Sequence, residues 1–256
     1  MENLSKDKQV KIGIITQHSV NNFGANLQSY ALNEFLKLQN YDSKLIDFIP
    51  NNKVQKDLSF RQKIKNIIKF FLKKEYKNDF LKNKKFSQFR NKYYGLFVEN
   101  KRFYGDTDFL INYPKLDIYI SGSDQLFNFS LTGHSVSYFL PFETNGLKIS
   151  YASSFGRETI TDSESYCVKN YLTQFSSVSF REKSGSTIYS KLTSKNSLSV
   201  LDPVFLLSEE QWSKLITRKI NRKYILVYAV ENSKFLKDAI QLAKKLIHHI
   251  SYGLYQ

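Results

Sequence analysis

One cysteine, four prolines, ten glycines and a single tryptophan occur among 256 residues, and each scarcity closes off a class of protein. Cys167 alone forms no intrachain disulfide and no cysteine-based zinc cluster, so the fold is held by burial and suits a reducing compartment. So little glycine and proline excludes collagen-like and low-complexity architectures. No apolar run reaches the ~18 residues of a membrane span. Met1 to Lys11 is polar and charged and lacks the apolar stretch of a secretory signal, so the expected address is cytoplasmic. His18, His134, His248 and His249 show no metal-binding spacing, and no metal is expected.

What remains is 41% hydrophobic and 15% aromatic, too rich for a disordered chain. The length suits one large domain or two small ones, at ~150 residues each. The net charge of +15 is uneven: residues 51–102 hold 16 Lys and Arg against 4 Asp and Glu, a net +12. Such a patch binds nucleic acid, anionic lipid or polyanionic glycan, or is the solvated face of Lys-rich helices. The twelve aromatic residues from Phe60 to Tyr104 either stack bases or dock those helices.

Gln9–Thr16 (QVKIGIIT) reads as a buried strand, Ala25–Gln39 as a helix and Ser43–Ile49 as a second strand, which together make a parallel βαβ unit. Lys63–Lys74 and Lys82–Tyr94 read as two amphipathic helices of an inserted basic segment, 51–102. Tyr104–Tyr113 reads as irregular or weakly helical. Strands are expected at Leu116–Ser121, Leu147–Ser153, Ser177–Phe180 and Ser197–Leu201. Helices are expected at Asp162–Phe175, capped by Thr161 or Asp162, at Ser184–Leu192, and from Ser208 through Ile216. Arg218–Lys223 reads as a linker. Lys223–Val230 is then a fresh strand, Ser233–Leu246 a helix, and His249–Leu254 the start of another strand. The expected organisation is an α/β domain over 1–217 and the opening of a second over 223–256.

Ligands of an open parallel sheet bind beyond the carboxyl ends of its strands, and the polar motifs sit there. Val20-Asn21-Asn22-Phe23-Gly24 leads into a helix with Asn26 and Gln28 in its first turn. Gly24 permits close backbone approach, and a helix N-terminus favours an anion. The pattern is neither a dinucleotide-binding nor a phosphate-loop glycine fingerprint. Without one, Asp47 at the end of strand two is a weak candidate for a ribose-binding acid. Ser121-Gly122-Ser123-Asp124-Gln125, with Asn128, gathers polar groups at another strand end, where turn and cap chemistry also explains Ser123 and Asp124. Arg181 brings a guanidinium suited to carboxylate or phosphate, or forms a surface ion pair. His18 either reaches the crevice or caps locally. Cys167, inside a helical pattern, reads as a core residue.

Taken in order, KIGIITQHSVNNFGANLQSYALNEFL, DIYISGSDQLFN, KISYASSFG, SVSFREKSG and LDPVFLL resemble the polysaccharide pyruvyl transferase family over residues 10–245. The resemblance implies two Rossmann-like halves in a glycosyltransferase-B-like arrangement. It implies transfer of a pyruvyl group from phosphoenolpyruvate to a glycan or lipid-linked saccharide, as a ketal, with no cofactor. Its implied donor-anion ligand is Arg181, and its implied proton carrier or sugar-hydroxyl acceptor is Asp124. Further substrate contacts would come from His18, Asn22, Gly24, Gln28, Ser123, Gln125 and Asn128. Family members continue beyond the point matching Gln256 and carry a Ser-Phe-His-Gly-like stretch that has no counterpart here. The expectation is therefore a C-terminally truncated relative or a chain completed by a partner. Other readings are a catalytically dead remnant that binds glycan or phosphoenolpyruvate, a nucleotide-sugar glycosyltransferase, and a nucleic-acid or membrane-surface binder acting through 51–102. The basic segment 51–102 puts peripheral association with the inner membrane face among the expectations, without specific nucleic-acid binding.

Overall fold

The run KIGII becomes β1 (Lys11–Ile15), buried on both faces beyond Lys11. Only a central strand covered on both sides tolerates such a sequence. The structure is a computed structural model that describes residues 9–53, 74–217, 221 and 234–246. The expected helix Lys63–Lys74 (apart from Lys74) and the expected strands Lys223–Val230 and His249–Leu254 lie outside the described residues.

Six parallel strands form the main sheet in the order β2-β1-β5-β6-β7-β8. They are β1, β2 (Asp42–Leu45), β5 (Ile118–Ser121), β6 (Leu147–Ser153), β7 (Ser177–Phe180) and β8 (Leu198–Ser199). A second, two-stranded parallel sheet pairs β3 (Asp47–Ile49) with β4 (Arg102–Tyr104). This is a Rossmann-like α/β sheet. From β1 the chain crosses to β2 on one side, and from β5 it proceeds to β6 on the other. The winding therefore reverses between β1 and β5, which opens a crevice at their carboxyl ends.

The expected second strand, Ser43–Ile49, is two strands in two sheets. Ile46 N–H still bonds to Ile14 O (2.8 Å), but Phe48 N–H turns back to Ile46 O (2.9 Å). That three-residue turn about Asp47 ends the ladder and starts the second sheet. The stretch Tyr104–Tyr113, expected to be irregular or weakly helical, contains the end of β4 and a helix, Gly105–Asn112.

Helix α1 (Phe23–Leu38) buries Ala25, Tyr30, Ala31 and Leu32. Helix α2 (Lys74–Tyr93) docks through its aromatic residues. Phe86 lies 4.9 Å, centroid to centroid, from Phe23, and Tyr30 meets Phe89 and Tyr93 edge-on. Helix α3 is Gly105–Asn112 and α4 the single turn Phe129–Thr132. Helix α5 (Asp162–Asn170) is capped by Thr161 in a reciprocal capping box with Glu164, as its Thr-x-x-Glu spacing dictates. It stops short of Phe175 because Thr173 Oγ1 and Gln174 Nε2 bond the carbonyls of Lys169 and Asn170 (2.7 and 2.6 Å). Those side chains compete with the backbone, and a 3-10 turn, Leu172–Gln174, follows. Helix α6 is Lys183–Thr193.

One face of the sheet covers an aromatic core that includes Phe48, Phe103, Phe109, Phe127, Phe139, Phe155 and Phe180. Phe127 stacks on Phe139 at 4.5 Å and Phe155 on Phe180 at 5.6 Å. Rings so packed add about 0.5–1.5 kcal/mol per pair beyond their area. Gly146, just before β6, has no room for a side chain: a Cβ there meets Leu116 O at 2.4 Å and Tyr119 Cε2 at 2.8 Å. Gly146→Ala is expected to cost about 1–3 kcal/mol through overpacking. An unchanged urea midpoint with an unchanged slope would contradict this.

The chain divides after Ser208. The second unit contains α7 (Glu209–Ser213) and α8 (Lys234–Leu246). Among the described residues no helix is long and apolar enough to cross a membrane.

Candidate active site

The carboxyl ends of β1 and β5 are tied across the switch point. Thr16 Oγ1 donates to Ser123 O (2.8 Å) and accepts from Gln28 Nε2 (2.9 Å). Gln28 is 2% exposed, and its Oε1 has no hydrogen-bond partner among the described residues. Asn22 caps α1, accepting from Ala25 N–H (3.0 Å). Asn26 is buried and donates to Val20 O and Asn22 O (2.6 and 2.7 Å). The Asn22–Gln28 segment thus uses most of its polar groups to hold its own loop. Gly24 is exposed on the first turn.

His18 is turned away from solvent, at 1% exposure. Its Nδ1 lies 3.1 Å from Thr16 O and its Nε2 3.0 Å from Asp47 Oδ1. Both ring nitrogens are thereby engaged with acceptors, which leaves His18 a builder of the loop. Arg102 Nε donates to the other Asp47 oxygen (2.8 Å). Burial pushes the Asp47 carboxyl up, but the hydrogen bond and charge of His18, and then of Arg102, outweigh it and hold its pKa below the ordinary value. Asp47 faces a histidine and an arginine, not a ribose pocket. From α2, Arg90 Nη1 donates to Asn21 Oδ1 (2.9 Å), and just past the end of α2 the Tyr94 hydroxyl donates to Asn26 Oδ1 (2.9 Å). The basic segment therefore clamps the β1–α1 loop.

Across the crevice, Asp202 joins β5 to β7. Its Oδ2 accepts from Ser123 Oγ (2.8 Å) and Arg181 Nη1 (3.1 Å). Its Oδ1 accepts from Val204 N–H (3.1 Å), capping the 3-10 turn Pro203–Leu206. Arg181 also lies 3.8 Å from Glu182 and is about one-third exposed. Asp124 stands beside this pair with φ +95, a conformation that costs of order 1–3 kcal/mol and clusters at functional sites. Its carboxyl pKa is raised, first by burial and further by Asp202, against the opposing effects of Gln125 N–H, Arg181 and Lys53. Strand β6 bulges between Ser150 and Ser153, with Ala152 at φ +52. The bulge aims Ser153 back at the β5 loop, where Ser153 Oγ donates to Gly122 O (2.8 Å).

Gln125 and Asn128 serve their own turn. Asn128 caps α4 through Ser130 N–H (3.1 Å) and donates to Gln125 Oε1 (3.0 Å). Gln125 packs on Gly156, where a Cβ would meet its Oε1 at 2.0 Å. Cys167 is buried, and burial pushes its thiol up to about 11, which leaves it a core residue. The structure thus brings together Ser123, Asp124 and Arg181 with Asp202 and Lys53, and links them through Thr16 to Gln28. It keeps His18, Gln125 and Asn128 in structural bonds. A groove of roughly 740 Å³ opens at the amino ends of β5, β6 and β7, lined by Tyr113, Lys115, Glu143 and Lys148. The chemistry gathers at the opposite end of the sheet, where the strand-end polar groups converge. Among the described residues no group of three or more His, Cys, Asp or Glu is placed to hold a metal ion.

Against models of known families, residues 22–253 match polysaccharide pyruvyl transferase. The chain belongs to this family. No curated protein and no solved structure matched it. The family match takes in the α1 cap, the Ser123–Asn128 turn, Arg181 and Asp202 in one stretch. For a polysaccharide pyruvyl transferase family member, the residues that sequence reading passed over are Lys53, Arg102 and Asp202. Asp202 had a signal, being an Asp-Pro pair directly after a strand. Lys53 and Arg102 were hidden among the many cations of their segment.

Proposed function

We propose that this protein transfers a pyruvyl group from phosphoenolpyruvate to two hydroxyls of one sugar in a cell-surface glycan or its lipid-linked precursor. The observation that carries this reading, beside family membership, is the grouping of Arg181, Asp124 and Asp202 at the sheet's switch point. The donor bears a carboxylate and a phosphate on a carbon–carbon double bond. Reaction needs a proton delivered to the methylene carbon, attack of a sugar hydroxyl oxygen on the central carbon, and departure of phosphate with its carbon–oxygen bond pair. A second hydroxyl then closes the ketal. Of the two hydroxyl protons, one balances the new methyl group and the other leaves on phosphate.

Arg181 offers five N–H donors in a planar fork suited to a carboxylate. Its anchoring by Asp202 presets its direction, which reduces the entropy lost on binding. Burial raises the proton affinity of Asp124, the direction that a general acid needs. No bound cofactor enters these steps, and the proposed setting is the cytoplasmic side, where phosphoenolpyruvate would be met.

The test is thermal unfolding with phosphoenolpyruvate. At a hundredfold excess over the dissociation constant a ligand stabilises by about 2.7 kcal/mol. At ~2–4 °C per kcal/mol for a chain of this size, the midpoint is expected to rise by roughly 5–10 °C. Arg181→Ala is expected to abolish the rise. A cooperative wild-type transition that phosphoenolpyruvate leaves unmoved would refute the donor assignment.

A further inference from the structure

We propose that Lys53 is the second cation of the donor site, binding the phosphate of phosphoenolpyruvate while Arg181 takes its carboxylate. The inference rests on the donor reading above. Lys53 is one of 16 basic residues in 51–102, but it is seated unlike a solvated surface lysine. It ends the 3-10 turn Asn51–Lys53, which lies against two glycines. A Cβ on Gly105 would meet Asn51 Oδ1 at 1.9 Å, and one on Gly133 would meet Asn52 Cγ at 2.4 Å. Both glycines have positive φ, +76 and +65, so side chains are disfavoured there twice over. Asn52 Nδ2 also donates to Leu131 O (3.4 Å).

So held, Lys53 is half-buried and extends Nζ to Gln17 Oε1 (2.9 Å), on the loop that leaves β1. Gln17 is itself 9% exposed. Lys53 and Asp124 lie close enough for their charges to act on each other, and Asp124 feels Arg181 as well. Two cations therefore act on one carboxyl group at the switch point. Burial lowers the Lys53 pKa, the sign of an ammonium short of solvent, which an anion would restore. An ammonium acts as a point charge toward phosphate, whereas the guanidinium fork matches the planar carboxylate. As the carbon–oxygen bond breaks, its electron pair passes to the phosphate oxygen, where Lys53 would offset the growing charge.

The experiment measures apparent dissociation constants for phosphoenolpyruvate and for inorganic phosphate from melting midpoints of wild type, Lys53→Met and Lys53→Arg. A charge-assisted contact of the ordinary size predicts at least ~10-fold weaker phosphoenolpyruvate binding in Lys53→Met. Inorganic phosphate is expected to lose its effect in that variant, and Lys53→Arg to recover most of the binding. Where Lys53→Met does not fold, Lys53→Gln removes the charge while keeping a polar contact for Gln17. If wild type binds phosphoenolpyruvate and the neutral variants bind it equally well, the role of Lys53 is overturned while the donor reading stands. If wild type binds none, the donor reading falls and this inference with it.

Discussion

Glu164→Gln is expected to destabilise the fold by about 3 kcal/mol, the lower end of the ~3–5 kcal/mol for breaking a buried ion pair. The lower end applies because the Arg157 side chain is 29% exposed. Glu164 itself is fully buried. Its Oε1 accepts from Phe129 N–H (2.7 Å), at the start of α4. Its Oε2 accepts from Thr161 N–H and Oγ1 (2.8 and 3.0 Å). Arg157 Nη2 bonds both oxygens. An amide in that place turns an NH₂ toward groups that all donate, and leaves Arg157 without its counter-charge. The thermal midpoint is expected to fall by roughly 6–12 °C, at ~2–4 °C per kcal/mol.

The acid side gives a second readout. Burial raises the Glu164 carboxyl, but the bonds from Thr161, Phe129 and Arg157 prevail and hold its pKa below the ordinary 4.5. A depressed carboxylate contributes stability that is complete above the unfolded-state value and is lost as pH falls through the folded-state value. The gap between wild type and Glu164→Gln is therefore expected to be constant at neutral pH and to close below about pH 4.5. A gap under 0.5 kcal/mol at pH 7, well below the ~3–5 kcal/mol typical of such pairs, would show that the pair contributes little.

Asp124→Asn is expected to act in the opposite sense on stability while removing activity. Under the proposed mechanism, loss of the proton carrier lowers pyruvyl transfer by ~10²–10⁴-fold. The folded state, however, holds its stability or gains some at neutral pH. A carboxyl whose folded-state value is raised contributes favourably below the ordinary 3.8 and loses that contribution as pH rises through the raised value. At neutral pH its ionised form is a burden that asparagine lacks. Asparagine also accepts the positive φ of this position better than most residues. The variant should thus melt no lower than wild type at pH 7 and transfer far less pyruvate. Full activity in the variant would exclude the proton role. A large loss of stability would mark Asp124 as a structural residue.

Much of the sheet was legible because β1, β5, β6 and β7 are short β-branched or apolar runs that end in polar turns. The start of α5 was legible because a cap is a local rule, and of Thr161 and Asp162 the structure selects Thr161. What stayed hidden is what depends on distance along the chain. His18 reads as a strand-end histidine, and only folding brings Asp47, 29 residues on, into line with it. The pull of Asp47 toward His18 and Arg102 is also what accompanies the division of one expected strand into two. The end of α5 was misjudged because Thr173 and Gln174 look helix-compatible by hydrophobic period, while their side chains take the carbonyls that the helix needs. Lys53 could not be singled out, since charge counting weighs all lysines alike. The two glycines beneath its turn and its bond to Gln17 set it apart.

The placement of β1 beside β5 has a kinetic consequence. Ile12 pairs with Ile118, and Thr16 reaches Ser123 across 107 positions of sequence. Closing so large a loop has an entropic cost before any contact repays it, and parallel pairings of this kind form slowly. A nascent chain that has emerged only as far as the basic segment has β1 and β2 available to each other but no neighbour for the other edge of β1. The crevice therefore belongs to the late stage of folding. Until β5 arrives, the apolar edge of β1 stands open, the interval in which this chain is most exposed to mispairing.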